Sequence, residues 1–242
     1  MEKRAAMKKY FQRFPKWAVW MIVLGLPLLA AFGLGVLFIA LGIWGLISYS
    51  RKPSDAQMDA WIEEDLKGLE SHGLGKTGTD ASDLVGEPVS VTGFRFWDLP
   101  NDTFMGFRKG KDNVQRFTPL EVVVINFTAN QLLAYKAALD LTTGNPLNES
   151  TDEYFYRDVV SVSTKTENIT VTLPGVSIPV QAKSAETFTL TTSGGTQVQV
   201  KLSDPDVIKA MGGGTIPKTR TERAIQTVRK MLREKKGSAA PA

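Results

Sequence analysis

His72 is the only imidazole in this 242-residue chain, and there is no cysteine. The missing thiols exclude disulfides, cysteine–zinc sites, thiol nucleophiles and iron–sulfur clusters together. A lone histidine beside Gly73, with no nucleophile-elbow motif to serve, does not build a Ser-His-Asp set. Carboxylates gather twice, as Asp59, Glu63, Glu64 and Glu70 and as Glu149, Asp152 and Glu153 beside Tyr154. Neither group brings a second ligand type at metal-binding spacing, so the first reads as a solvated helix face and the second as a solvated turn. Asp98, Asp102 and Asp112 are too scattered for a calcium loop. Gly212-Gly213-Gly214-Thr215 lacks the lysine of a phosphate-binding loop and reads as a flexible connector. No catalytic residue, metal or cofactor is expected.

Two basic clusters remain. Arg108-Lys109-Gly110-Lys111, with Arg116 nearby, reads as a loop able to meet an anion through charge and backbone amides. From Lys218 to Lys236 stand eight basic residues and two acids, Arg229 and Arg233 among them. Lys109, Lys111, Arg229 and Arg233 are therefore the candidate contacts for an anion, a lipid or a partner. Tyr154, Phe155 and Tyr156 alternate faces without neighbouring basic residues, which argues against nucleic acid.

The elements that position these residues begin with an uncharged stretch from Trp17 to Ser50, 34 residues long. It exceeds the apolar core of a signal peptide and the roughly 20 residues of one membrane span. Lys3, Arg4, Lys8, Lys9, Arg13 and Lys16 precede it, so residues 1–16 are a basic leader expected in the cytoplasm. Two readings of 17–50 compete. As one tilted span, Trp17 and Trp20 anchor one interface and Trp44 and Tyr49 the other, and Trp20 to Trp44 measures about 36 Å as helix. As a hairpin, Pro27 and the Gly33/Gly35 pair divide the stretch into two short arms, and both ends emerge on one face. The first places the rest of the chain in a bacterial periplasm, the second in the cytoplasm. Either way the lipid bilayer is a partner.

Pro53-Ser54-Asp55, followed by Met58, Trp61, Ile62, Leu66 and Leu69, predicts an amphipathic helix within 51–72. Residues 73–87 read as a linker that begins beside a C-capping His72. Thereafter short β-rich runs follow, at Pro88–Trp97, Leu120–Thr128, Gln131–Leu141, Glu153–Thr164, Ile169–Leu173, Thr187–Thr192 and Gln197–Leu202. Alternation in Gln131–Leu141 and Gln197–Leu202 predicts half-buried antiparallel strands, and the apolar Leu120–Ile125 a central one. Thr219-Arg220-Thr221-Glu222 matches a capping box before the stripe Ala224, Ile225, Val228, Met231 and Leu232, and 237–242 reads as a disordered tail.

Seven strands closed by one C-terminal amphipathic helix over 88–236 resemble a bacterial pleckstrin-homology-like or GRAM-like domain. Tyr154–Val162, Glu186–Leu190 and Gln197–Val200 are similar to its middle and later strands. The resemblance implies an α+β fold, a β barrel or sandwich capped by a helix, and a non-enzymatic docking or scaffold role for a protein partner. The alternative is a bitopic subunit of an envelope or secretion complex with a periplasmic β-rich domain.

Overall fold

The computed structural model describes residues 2–29, 33–173, 179–216 and 219–237. The expected tail beyond Gly237 and the side chains of Thr219 and Arg220 in the expected capping box lie outside them. The chain divides into two units, Met1–Met58 and Asp59–Ala242.

The first unit is helical. The basic leader forms α1 (Glu2–Phe11), burying Met7, Tyr10 and Phe11. The uncharged stretch forms α2 (Lys16–Leu28) and α3 (Leu34–Ser50). Gly33, in the left-handed region at φ 68°, begins α3, a conformation glycine adopts without steric cost. No helix among the described residues is long and apolar enough to cross a membrane by itself, so the single continuous helix from Trp20 to Trp44 is not formed.

Instead α2 and α3 pack antiparallel, with glycines at the seam. A Cβ on Gly45 would meet Trp17 and Ala18, one on Gly42 would stand 2.5 Å from the Ala18 carbonyl oxygen, and one on Gly35 would stand 2.3 Å from that of Gly25. The absent side chains let the two backbones touch, as small residues do between helices. Trp17, Trp20 and Trp44 consequently share one end of the hairpin with Tyr49, rather than lying at opposite ends of one helix. Across that end the Phe14 and Tyr49 rings meet edge to face at 5.3 Å. Tyr10 Oη donates to Asp55 Oδ1 at 2.7 Å, and Lys52 donates to the carbonyl oxygens of Tyr10 and Gln12. Helix α4 (Asp55–Thr77) begins here and carries the chain onward.

The second unit is α+β. Its strands are β1 (Val89–Phe94), β2 (Gly106–Lys109), β3 (Gln115–Thr118), β4 (Leu120–Phe127), β5 (Gln131–Leu139), β6 (Pro146–Phe155), β7 (Val159–Val171), β8 (Val180–Thr192) and β9 (Gln197–Ser203). Helices α5 (Pro205–Ala210) and α6 (Thr219–Gly237) follow. The strands form antiparallel sheets in the orders β1-β4-β5-β6, β2-β3 and β7-β8-β9. Alternate residues Val91, Val123, Ile125, Leu132 and Ala134 of the first sheet share one core with Phe188, Leu190, Val198 and Val200 of the third. Ala224, Ile225, Val228 and Leu232 of α6 close it, four of the five stripe residues read from the sequence, with Met231 partly buried beside them. Gly93 lies where β1 passes β9, and a Cβ there would stand 1.9 Å from the Lys201 carbonyl oxygen.

Several expectations are corrected. Gln131–Leu141 is buried on both faces rather than one. Its second face is covered by α4, whose Gly73 lies against the Tyr135 ring. That helix runs through His72 to Thr77, so the linker begins later than 73. Glu153–Thr164 is two strands broken by a turn of 3₁₀ helix at Tyr156–Asp158. The loop at Arg108–Lys111 is the end of a β2–β3 hairpin, which the sequence did not announce. The triple glycine, at φ 100°, 76° and 106°, is no free connector. Gly212 accepts a hydrogen bond from Lys109, Met211 accepts one from Gln115, and Thr215 pairs with Gln115 and Asn113.

Candidate functional site

An edge strand exposes a row of backbone donors and acceptors, and β7 is such a strand. It is 13 residues long and pairs with β8 on one side alone among the described residues. The outer residues of its first half face α6. Between the two runs an open groove of about 490 Å³, lined by Val159–Val162 on the strand and by Arg229, Leu232, Arg233 and Lys236 on the helix. Val159 and Leu232 are buried in its floor, whereas Val160 is 59% exposed.

The helical period explains this arrangement. Val228 and Leu232 point into the core, and Arg229 and Arg233, one residue further round, reach the rim. Arg229 Nη2 donates to Thr164 Oγ1 at 3.4 Å, and Lys236 Nζ donates to the Val159 carbonyl oxygen. Arg229 also borders a second groove of about 560 Å³, lined by Leu202, Ile216 and Ile225 together with Glu186 and Glu222. The two grooves share Arg229 in their linings.

Of the four basic candidates, Arg229 and Arg233 lie together on this groove. Lys109 and Lys111 belong to the β2–β3 hairpin, where the Lys109 ammonium donates to the Gly212 carbonyl oxygen at 2.8 Å. The neighbouring Arg116 is buried and holds two carboxylates. Its Nε and Nη2 bond Asp59 at 2.7 and 2.6 Å, and its Nη1 and Nη2 bond Asp112 at 3.1 and 2.6 Å. The guanidinium holds the Asp112 carboxyl down at about 2. Lys109 and Arg116 are thereby engaged in fixing the hairpin.

The lone histidine is also engaged. His72 Nε2 lies 2.7 Å from Glu149 Oε2, which accepts from Tyr135 Oη at 2.9 Å, and Lys76 Nζ lies 3.6 Å from Oε1. The hydrogen bond to His72 is the largest influence holding the Glu149 carboxyl below its ordinary range. Burial pushes the Tyr135 hydroxyl well above its own. The cluster joins α4 to β5 and β6, so Glu149, read from the sequence as a solvated turn residue, is a pairing residue on a strand. Deeper in the domain, Glu121 pairs with Lys136 at 2.9 Å and with Arg95 at 3.3 Å. Among the described residues no group of three His, Asp or Glu side chains is placed to hold a metal ion.

The sequence signalled the α6 half of the groove through its stripe and charges. It missed β7 as an edge strand because Glu153–Thr164 reads as one continuous β run. Arg157-Asp158, a polar pair interrupting aromatic and β-branched residues, was the available sign of the break. Comparisons with known protein families, with curated proteins and with solved structures gave no match.

Proposed function

We propose that this chain is a membrane-anchored, non-enzymatic docking module: the α2–α3 hairpin sits in a bilayer, and a pleckstrin-homology-like domain offers the β7–α6 groove to a protein partner. Anchoring is supported by where the apolar surface lies. Among the described residues 19 large hydrophobic side chains are exposed, and 15 of them fall between Phe14 and Ile47. The hairpin puts its glycines inward and its Leu, Val, Ile and Trp side chains outward, an inversion suited to lipid rather than water. The domain reading is supported by strand order. With the β2–β3 hairpin set aside as an insertion, four strands, then three strands, then a capping helix follow one another along the chain.

Docking rests chiefly on the groove. A partner segment in extended conformation would pair its backbone with the outer edge of β7, while Arg229 and Arg233 favour acidic side chains along it. The test uses the full chain in lipid nanodiscs, with amide resonances of residues 159–164 and 225–236 followed by NMR. A decapeptide alternating glutamate with valine should shift these resonances, and Arg229→Glu with Arg233→Glu should abolish the response. Equal shifts from the matching lysine–valine peptide, or none at millimolar concentration, would remove the groove from the proposal.

The alternative of a bitopic envelope subunit requires the chain to leave the bilayer on the face opposite its entry. The contact of Phe14 with Tyr49 favours entry and exit on one side. Paired topology reporters fused after Ala242 are expected to give a cytoplasmic signal, and a periplasmic signal would reverse the choice.

A further inference from the structure

The hairpin brings its entry and exit together, and charge collects there. Residues 1–58 carry eight Lys or Arg against Glu2 and Asp55. Arg13 precedes α2 and Lys16 begins it, Arg51 and Lys52 follow α3, and the Phe14–Tyr49 contact holds the two termini side by side. The segment Gln12–Trp17 forms an open cleft of about 700 Å³, with Arg13 and Lys16 among its walls. Beside them in the same cleft stand Phe14 and Trp17, 48% and 49% exposed. Trp20 and Trp44, more exposed still, continue the aromatic surface along the hairpin.

Cations and apolar rings in one cleft, at the boundary between a charged base and an apolar hairpin, match one kind of ligand. We propose that the cleft at Gln12–Trp17 binds the headgroup of an anionic phospholipid, with Arg13 and Lys16 meeting the phosphate and Phe14 and Trp17 lying against the glycerol and first acyl carbons. A soluble phosphate would satisfy the cations and leave the rings in water. A zwitterionic lipid would satisfy the rings and oppose the surplus positive charge with its own cation. Tryptophan favours this headgroup level, and each basic residue held at an anionic surface strengthens association by about fivefold. The hairpin thereby gains a fixed depth and a preference among lipids. This inference rests on the anchoring reading.

The full chain is reconstituted in phosphatidylcholine vesicles containing a trace of spin-labelled lipid, and the motionally restricted fraction is measured by electron paramagnetic resonance. Spin-labelled phosphatidylglycerol should be restricted several-fold more strongly than spin-labelled phosphatidylcholine. Arg13→Gln with Lys16→Gln should bring the two lipids level, whereas the same loss of charge at Lys183 and Lys209 should leave the preference intact. Equal restriction of the two lipids by the unaltered chain would overturn the proposal, as would a preference indifferent to Arg13 and Lys16 or lost equally in the control. Displacement of the lipid by millimolar inorganic phosphate would assign the cleft to soluble anions and overturn it as well. Alkaline carbonate extraction separates the two readings. A chain stripped from the vesicles defeats anchoring and headgroup binding together, while a chain retained without lipid preference defeats headgroup binding alone.

Discussion

Arg116 offers the sharpest test of how the second unit is held together, because its two partners differ from it so strongly in exposure. Its side chain is 3% exposed, while those of Asp59 and Asp112 are 56% and 41% exposed. Replacing Arg116 with Met keeps much of the alkyl volume and returns both carboxylates to water. The loss is that of charge-assisted hydrogen bonds with solvated partners, about 2 kcal/mol in all. Replacing Asp59 and Asp112 together with Ala leaves the buried guanidinium without these two counter-charges, and the cost rises to about 3–5 kcal/mol. Removing two acids should therefore hurt more than removing the one base they share. Urea denaturation of each variant at neutral pH, followed by circular dichroism, gives the order.

Acid supplies a second measurement on the same pair. Asp112 titrates near 3.8 when unperturbed and is depressed to about 2 in the fold. A depressed carboxyl contributes stability that is fully present above its unfolded value and is lost as pH falls through the folded one. Unscreened, that depression would correspond to about 2 kcal/mol, which solvent screening of a 41% exposed carboxylate reduces to about 1 kcal/mol. Stability should decline by that amount between about pH 4 and pH 2, and Arg116→Met should remove this part of the decline. Equal costs for the Arg and double-Asp replacements, or an unchanged acid profile in Arg116→Met, would refute the argument.

Two further predictions concern the other packed sites. A Cβ on Gly45 would lie 3.0 Å from that of Ala18 and 2.8 Å from the Trp17 ring, so Ala18→Cys with Gly45→Cys, with Trp17→Ala added to make room and no other thiols in the chain, should form an intramolecular disulfide on mild oxidation after a small separation of the helices. Persistent maleimide labelling of both cysteines would mean that α2 and α3 are not paired in this register. Glu149→Gln should cost about 1 kcal/mol at neutral pH through the weakened contacts to His72, Tyr135 and Lys76. Because the Glu149 carboxyl is depressed below its ordinary 4.5, the deficit relative to the unaltered chain should shrink as pH falls below that value. A deficit constant from pH 7 to pH 3 would show that the carboxylate charge plays no part.

How far the fold was legible depended on whether its cause was local. The stripe Ala224, Ile225, Val228 and Leu232 announces α6 because a helix buries one face at its own period. Thr143–Pro146 and Ser193–Gly195 have the Gly-, Asn-, Pro- and Ser-rich composition of turns, and Gly144 and Gly195 adopt φ 81° and 85° there. The β2–β3 hairpin was hidden because Gly106–Lys109 and Gln115–Thr118 are four residues each, too short for a period to emerge. Helix α4 passed its expected end at His72 because Gly73 fits against the Tyr135 ring, and packing there outweighs the glycine's preference to stop a helix. The β5 alternation suggested one buried face because the sequence does not say that α4 covers the other.

Legible from residue types alone are a cysteine-free chain with one histidine, an uncharged stretch behind a basic leader, a β-rich region, and a basic amphipathic helix near the end. These depend on residue type and short spacing alone. Tertiary structure decided which groups meet. It folded Trp17–Ser50 into two glycine-seamed helices and so gathered Trp17, Trp20, Trp44 and Tyr49 at one end. It committed Lys109 and Arg116 to partners far away in sequence, from Asp59 to Gly212. It left β7, among the described residues, paired with β8 alone beside Arg229 and Arg233. Contacts between residues distant in sequence depend on how sheets and helices pack, and that packing is set by the whole chain's core rather than by any window of it.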